Sequence, residues 1–322
     1  MSVVPGELLG SADGEAKLAT SPSPPSGRSG FNRRRRSRLI TGTIMMAPFA
    51  VLLGGLLGWP IVWTFVLSLT NEQLTGPTAL HRQFIGFANF TELFQDGAFG
   101  GSIIHTLQYL VGSAYLGQIV LGFLLALLLR RCNRVVQAIV GGIIILSWVV
   151  PELIAGFMWY AMLGQDGVLQ QAANALGLPF TQLLVTHPML AVNLANSWRG
   201  VAFSMLLFTA ALAAFPSSLL EAAQVDGAGP LKRILFVVLP NLKGTILVAV
   251  VLVTLATLND FVLIFTMTGG GPGNESQVLS TYMYQTGFTE YRIAYATAVS
   301  VVLLIIGVIL SVLYVRALRK AD

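Results

Sequence analysis

The sequence predicts an all-α, polytopic membrane protein with six transmembrane helices. Of its 322 residues, 55% are hydrophobic and only 10% are charged, against about 25% charged residues in an ordinary soluble domain. So few charges cannot cover a water-facing surface, and much of this surface must therefore face lipid. Six apolar stretches reach the roughly 20 residues that a helix needs to cross a bilayer core, at about 39–69, 102–129, 135–163, 188–214, 244–268 and 293–315.

Helices are expected for all six stretches, because a spanning helix satisfies every backbone polar group within its own segment. The alternating pattern of a membrane barrel is absent from the sequence. The first stretch, Leu39 to Leu69, exceeds the roughly 7–15 apolar residues of a cleaved signal peptide. It carries Trp59-Pro60, which predicts a kink or an interfacial break near its middle.

The distribution of Lys and Arg predicts that both chain termini are cytoplasmic, because cytoplasmic loops carry an excess of these residues. Residues 1–38, read as a disordered basic tail, would then lie inside with 130–134, 215–243 and 316–322. Together these segments hold sixteen of the nineteen basic residues. The net charge of +5 is accounted for by topology, so no nucleic-acid partner is expected.

The loop after the fourth span predicts a helix-turn-helix, and residues 215–243 are named the elbow below. Ser218 with Glu221 is a capping-box pattern for a first short helix. Asp226-Gly227 is a natural stop, since glycine adopts the left-handed conformation that ends many helices. Pro230 suits the first turn of a second short helix, which Pro240 would end.

The same residues resemble a known family, the permease subunits of bacterial binding-protein-dependent ABC importers. That family carries Glu-Ala-Ala, three residues, Gly, nine residues, Ile, one residue and Leu-Pro. Here the matching positions are Glu221, Ala222, Ala223, Gly227, Val237, Leu239 and Pro240, with Val in place of Ile. The resemblance implies that the elbow docks on a separate ATPase, through Glu221, Ala222, Ala223, Asp226, Gly227, Leu239 and Pro240.

Further segments resemble the carbohydrate branch of this family, as in maltose-type and glycerol-3-phosphate-type permeases. They include 84–90 before the second span, Pro151 with Trp159, and the outer loop around Gly271-Pro272. The resemblance covers about residues 40–315 and implies the type I ABC importer permease fold in a bacterial inner membrane. It also implies a second permease, two ATP-binding subunits that hold ATP and magnesium, a solute-binding protein and a sugar-like substrate.

Polar residues inside the spans are candidates for the solute path, because ionisable groups in a membrane are costly and usually face a cavity. A sugar needs several hydrogen-bonding partners and an aromatic face. The candidates are Trp148, Glu152, Asn196, Arg199, Asn259 and Asp260. Alternatively, Arg199 pairs with Asp260 or with Glu152 and simply holds the helices together.

Two other functions are alternatives to the importer. A carrier driven by a proton or sodium gradient is favoured by Asp260 and Glu152 in the membrane, but it has no need for the elbow motif. A membrane enzyme would need a nucleophile or a metal cluster, which the sequence does not offer. Gly269–Gly273 lacks the Gly-Lys-Ser/Thr end of a phosphate loop, and the three histidines lack metal-ligand spacing.

Overall fold

The computed structural model describes residues 45–76, 79, 81–177 and 182–319 of the chain. The predicted tail at 1–38, residues 39–44 of the first predicted span and residues 320–322 lie outside these ranges. Within the described ranges the regular structure is helical, and the only β-pairing is one isolated antiparallel bridge between Thr70 and Phe84. The all-α prediction is confirmed.

Fourteen helices make up the described part of the chain. They are α1 (Met45–Ser68), α2 (Ala88–Gln95), α3 (Gly97–Arg130), α4 (Arg134–Val149), α5 (Glu152–Leu163), α6 (Val168–Ala175), α7 (Leu183–Thr186), α8 (Pro188–Ala213), α9 (Ser217–Val225), α10 (Pro230–Asn241), α11 (Lys243–Leu258), α12 (Val262–Met267), α13 (Leu279–Tyr284) and α14 (Ile293–Arg319).

Three of these helices, α1, α3 and α14, are by themselves long and apolar enough to cross a membrane. The number rises to six if each of three sharply bent helix pairs counts as one span, the pairs being α4 with α5–α6, α8 with α9, and α10 with α11. The predicted spans at 102–129, 188–214 and 293–315 correspond to single helices, α3, α8 and α14.

The third predicted span, 135–163, is not one helix. Helix α4 ends at Val149 and α5 begins at Glu152. The axis of α4 differs by 105° from that of the segment Glu152–Ala175, which contains α5 and α6. Pro151 has no backbone N–H to continue the helix, and it forces the preceding residue toward extended backbone. Val150 accordingly has ψ 126°. The prediction of a continuous span was wrong here because the run of apolar residues continues across the break.

The fifth predicted span, 244–268, is also interrupted. Helix α11 ends at Leu258 and α12 begins at Val262, so Asn259, Asp260 and Phe261 lie between two helices. The backbone carbonyl of Asp260 accepts a hydrogen bond from the Ser280 hydroxyl at 2.7 Å. A partner outside the span therefore replaces the helical hydrogen bond that the break removes.

The chain divides into two units, Met1–Trp59 and Pro60–Asp322, and the division falls inside α1. Of the predicted kink or break at Trp59-Pro60, the break is absent, because Met45–Ser68 is a single helix. Instead, Gly54–Gly58 form a π-helical turn, in which the Trp59 N–H donates to the carbonyl of Gly54. In the first unit, the described side chains are mostly exposed and apolar, as expected for a lipid-facing segment.

Helices α3 and α8 pack closely through small residues. The middle of α3, Leu110–Val120, is π-helical, so its hydrogen bonds reach five residues along the chain. Gly112, Gly117 and Gly122 recur at that spacing, and a Cβ added at any of them would overlap a side chain of α8. Small residues at such contacts let two membrane helices approach closely.

Replacing Gly117 with alanine is expected to destabilise the protein. The added Cβ would overlap Ser197 of α8, and overpacking of this kind costs about 1–3 kcal/mol. Gly101→Ala is the matched control, because a Cβ there meets nothing within 4 Å and alanine favours the helix. Thermal unfolding in detergent should show a midpoint several degrees lower for G117A only. Equal midpoints for the two variants would contradict the packing described.

At the start of α3, Asp96 links three helices. Its carboxylate accepts hydrogen bonds from the Tyr282 hydroxyl at 2.6 Å, the Tyr295 hydroxyl at 3.1 Å and the Ala98 N–H at 2.8 Å. Burial alone would raise the pKa of Asp96, but these donors outweigh it and the pKa lies below its ordinary value of 3.8. The folded state therefore favours the ionised carboxylate.

This shift predicts a pH-dependent contribution to stability. Because the pKa of Asp96 is lower in the folded than in the unfolded chain, its contribution is present above pH about 3.8 and is lost as the pH falls through the lower folded value. Asp96→Asn should therefore unfold at a lower temperature than wild type at pH 6, and the gap should close below pH about 3.8. A gap that stays constant down to pH 3 would refute this assignment.

Candidate functional site

A cavity of about 330 Å³, lined by both polar and apolar residues, lies between helices that form the predicted spans. It is lined from α3, α4, α5, α8 and α11 and from the interruption after α11. The lining residues are Gln118, Trp148, Glu152, Asn196, Arg199, Gly200, Phe203, Leu252, Val253, Ala256, Thr257 and Asp260. Five of the six residues predicted for a solute path are therefore gathered around one space.

Arg199 and Glu152 form an ion pair in this cavity. Arg199 Nη2 lies 2.6 Å from Glu152 Oε1, and the two side chains are 21% and 37% exposed. Arg199 sits in the middle of α8, whereas Glu152 is the first residue of α5. A carboxylate in the first turn of a helix is stabilised by the free backbone N–H groups there, so the break at Pro151 suits Glu152 to this role.

Asp260 has different partners from Arg199. Its Oδ2 accepts a hydrogen bond from the Tyr109 hydroxyl at 2.6 Å, and the residue is only 7% exposed. Of the two pairings that the sequence left open for Arg199, the structure contains the one with Glu152. The second carboxylate oxygen of Asp260 and Nε of Arg199 are buried without a hydrogen-bond partner among the described residues.

A second layer of polar groups holds the cavity wall in place. Asn196 is 3% exposed and donates to the Ser113 hydroxyl at 2.9 Å. That hydroxyl in turn donates to the carbonyl of Tyr109 at 2.7 Å. The Asn196 amide and the Ser113 hydroxyl thus both find acceptors within the protein, as buried polar groups require. The Tyr109 that binds Asp260 is thereby tied to α8 as well.

Aromatic rings form part of the remaining wall. The rings of Trp148 and Phe203 lie with centroids 6.0 Å apart and line the same cavity. Ser147, next to Trp148, donates to the carbonyl of Trp198 at 2.8 Å, which holds the end of α4 against α8. The cavity thus combines hydrogen-bonding side chains with an aromatic face, the combination that binds polar ring compounds.

Asn259 does not join this site. Its side-chain amide donates to the Leu255 carbonyl of its own helix at 2.8 Å, and the residue lines a different cavity with Met283 and Ser300. Sequence reasoning placed it with Asp260 because the two are neighbours in the chain. Because α11 ends at Leu258, the side chains of Asn259 and Asp260 line different cavities. The position of Asn259 therefore does not support its predicted place in the solute path.

Among the residues that sequence reasoning missed are Gln118 and Tyr109, both on α3. The available signal was a row of polar residues inside an apolar run, since Ser102, Thr106, Tyr109 and Ser113 recur every three or four positions and all are buried. Gln118 follows Ser113 by five residues, which departs from α-helical spacing. It shares the buried face because this part of α3 is π-helical.

The elbow is helical, as the sequence predicts, with one correction at its start. The N-cap of α9 is Pro216, and no side chain caps the helix, so the predicted capping box of Ser218 and Glu221 is absent. A proline N-cap starts α9 before Ser218, which places Ser218 inside the helix. The second helix begins at Pro230 as predicted and ends at Asn241, one residue after Pro240.

The turn between α9 and α10 has the predicted glycine geometry. Gly227 has φ +77°, a conformation that glycine adopts without strain. The N–H of Ala228 donates to the carbonyl of Ala223 at 2.9 Å, and the N–H of Gly227 donates to that of Gln224 at 3.1 Å. These bonds satisfy carbonyls that the end of α9 leaves free. Arg233 then bridges back to Gln224 at 3.1 Å.

One face of the elbow is anchored and the other is open. Phe215, Val238 and Leu242 are buried in the hydrophobic core that α3, α8 and α11 form. By contrast, Val225 is 88% exposed and Phe236 is 74% exposed, and Glu221 and Asp226 are also on the surface. The elbow therefore presents mixed apolar and acidic side chains from a firmly packed base.

These features define a helical membrane permease with a polar cavity between its spans and an ordered elbow. A comparison with known protein families identifies the family of this permease. Residues 118–321 match the family described as the binding-protein-dependent transport system inner membrane component, and the chain belongs to that family. It is an ABC transporter permease of the inner membrane, the non-catalytic transmembrane component, as its relatives are.

Several relatives align over most of this chain. A probable ABC transporter permease protein, y4oQ of Sinorhizobium fredii, is 32% identical over 285 residues, 88% of this chain and 91% of that protein. The sulfoquinovosyl glycerol permease SmoG of Agrobacterium fabrum is 30% identical over 88% of this chain and 92% of its own length. The sn-glycerol-3-phosphate permease UgpA of Yersinia pestis is 31% identical over 78% and 85%.

The fold is also similar to a solved structure. One chain of a bacterial alginate ABC transporter, determined with a pentasaccharide-bound periplasmic protein, aligns with a TM-score of 0.72 at 23% identity. The alignment covers 88% of this chain and 95% of that one. The permease fold expected from the elbow motif is thereby confirmed.

The ion pair predicts strong coupling between Arg199 and Glu152. Removing one partner leaves a charge in a largely apolar surrounding, whereas removing both leaves none. Glu152→Gln and Arg199→Gln should each lower the free energy of unfolding by about 1–3 kcal/mol. The double variant should lose less than the sum of the two. Thermal unfolding of all four proteins measures the cycle, and additive losses would show that the pair contributes nothing.

Proposed function

We propose that this chain is the permease subunit of an ATP-driven, solute-binding-protein-dependent importer for a sugar or sugar-like solute. It would form half of the translocation pathway and would receive the energy of ATP hydrolysis through the elbow. The observation that carries the proposal is the open face of the elbow, which combines the Glu221-Ala222-Ala223 and Gly227 motif with a rigid attachment to the spans.

The elbow has the properties that a coupling element needs. Its exposed apolar side chains, Val225 and Phe236, would be unfavourable in water without a partner. The exposed acidic residues of the same elbow, Glu221 and Asp226, make lipid an unsuitable neighbour. The surface of a soluble partner protein can contact both the apolar and the acidic side chains. Since Phe215 and Val238 anchor the elbow in the core, a push on its open face would move the ends of the spans.

The assembly we infer has several other subunits. Two ATP-binding subunits would hold ATP and its magnesium, since no phosphate loop occurs in this sequence. A second permease, distinct but homologous, would complete the pathway. An extracytoplasmic solute-binding protein would deliver the solute at the end of the spans opposite the elbow. Both termini of this chain would then be cytoplasmic, in agreement with the basic residues that flank its spans.

The cavity and the relatives support the proposed substrate class. Relatives that align over most of the chain are named for sulfoquinovosyl glycerol and for sn-glycerol-3-phosphate, both polyhydroxylated and anionic. In this chain, Asn196 and Asp260 offer hydrogen-bonding groups, and Trp148 offers an aromatic face. Arg199 is the cation of the cavity, but Glu152 already neutralises it. Asp260 is a second carboxylate in the same lining, so no positive charge is left over, and a neutral sugar fits this charge balance.

A gradient-driven carrier is the alternative function, and the burial of Asp260 beside Tyr109 is the observation that favours it. A protonatable carboxylate inside a membrane is typical of proton-coupled transport. The two functions differ in their energy source. Uptake that persists after ATP depletion but falls with an uncoupler would identify the carrier, and the reverse pattern would identify the importer.

Disrupting the elbow should abolish coupling without removing the protein from the membrane. Glu221→Lys reverses the charge on the open face, and Gly227→Pro is incompatible with φ +77° at that position. Both variants should lose co-purification of the ATP-binding subunits by about tenfold or more, measured by quantitative mass spectrometry of the purified complex. The matched control is Glu275→Lys, because Glu275 is an exposed acid outside the elbow.

The same preparations test the alternative outcomes. Membrane-inserted chain, measured by blotting, should be equal for the wild type and all three variants. Retention of the ATP-binding subunits and of their ATPase rate in both elbow variants would overturn the proposed coupling. A loss in the Glu275→Lys control as well would show that the effect is one of general charge, which also counts against the elbow.

A further inference from the structure

A second and larger cavity, of about 560 Å³, lies between the end of α3, the start of α4 and the end of α8. Two arginines, Arg130 and Arg134, line it at the end nearest the elbow. Its remaining wall is largely apolar and includes Gly141, Gly142 and Leu206. The proposed solute path does not use this space, which shares no lining residue with the cavity around Arg199.

The arginines at its mouth have no counter-charge within the described part of the chain. None of the described residues forms an ion pair with Arg130 or Arg134, and both side chains are exposed. Arg130 also lines a neighbouring cavity of about 350 Å³ together with Arg131 and Arg233 of the elbow. No acidic side chain is among the lining residues of either space. The mouth therefore offers strong positive charge to an anion.

Two glycines leave open space along one wall of the cavity. A Cβ added at Gly141 or Gly142 would meet nothing within 4 Å, so these glycines face open space between the helices. The geometry around them is fixed by Gln137, whose side-chain amide donates to the carbonyls of Leu129 at 3.0 Å and Cys132 at 2.9 Å. These bonds tie α4 to the end of α3, the two segments that carry Arg134 and Arg130.

We propose that this cavity binds an anionic phospholipid, with the phosphate held by Arg130 and Arg134 and an acyl chain lying over Gly141 and Gly142. Basic pockets between membrane helices on the cytoplasmic side bind acidic headgroups, and an apolar groove next to such a pocket accommodates the chain. The position uses the topology of the proposed function, in which the elbow is cytoplasmic. Because Arg130 also faces Arg233, the bound lipid would contact the base of the elbow.

Native mass spectrometry of the full-length chain, titrated with phosphatidylglycerol or phosphatidylcholine, tests this site. Wild type should retain one phosphatidylglycerol at concentrations at which phosphatidylcholine is lost. Arg130→Gln with Arg134→Gln should weaken phosphatidylglycerol binding by about tenfold or more, since each basic group near a headgroup contributes several-fold. Arg316→Gln with Arg319→Gln is the matched control, because these exposed arginines of α14 line neither cavity, and it should bind as wild type does.

A third variant, Gly142→Leu, fills the groove and leaves the arginines in place. It should also weaken binding, since each acyl methylene that leaves the groove costs about fourfold in affinity. Leucine favours the helix over glycine, so a loss of binding would not reflect unfolding. The readout needs no transport, so it can fail while the importer assignment stands, and the converse also holds.

Three results would overturn the lipid site. The first is equal retention of the two lipids by wild type. The second is unchanged binding in Gly142→Leu together with displacement of the lipid by inorganic phosphate, which would leave only an anion site. The third is a crosslink from a cysteine placed at position 142 to another polypeptide in native membranes, which would make the groove a protein interface.

Discussion

The contact between Arg199 and Glu152 constrains the centre of this structure. An arginine in the middle of an apolar helix cannot remain without a counter-charge, and its carboxylate comes from the first turn of α5. That position exists only because Pro151 interrupts the apolar run between α4 and α5. A similar interruption after α11 frees Asp260 to bind Tyr109. In both places an interruption of the helix positions the polar group that lines the cavity.

Much of the architecture follows from the sequence alone, because bilayer thickness and backbone hydrogen bonding leave few options for long apolar runs. The runs of α3, α8 and α14 were predicted for this reason. The interruptions at Pro151 and Asn259 were not, since hydropathy measures the length of a run and not the continuity of its backbone. Gly227 and Pro230 were placed correctly in the elbow, because each residue has a backbone conformation that its position requires.

The candidate site was predicted less completely than the fold. Five of its residues were identified because charged, amide and indole groups stand out in an apolar sequence, but their pairing was not, since two carboxylates could have met Arg199. Gln118 was missed because it lies five positions after Ser113, a spacing that an α-helix does not place on one face. Asn259 was included because of its neighbour in the chain. Positions along a sequence do not reveal on which side of a helix end a side chain emerges.

The π-helical middle of α3 has a consequence for how this helix tolerates insertions and deletions. Each α-helical residue turns the chain by about 100°, and the wider turns of Leu110–Val120 contain residues that a regular α-helix would not hold. A one-residue deletion there would rotate the rest of the helix, and Gly122 with it, away from α8. The number of residues between Tyr109 and Gly122 is therefore as much a determinant of the cavity wall as their identity, and length variation among natural sequences should be rare at this point.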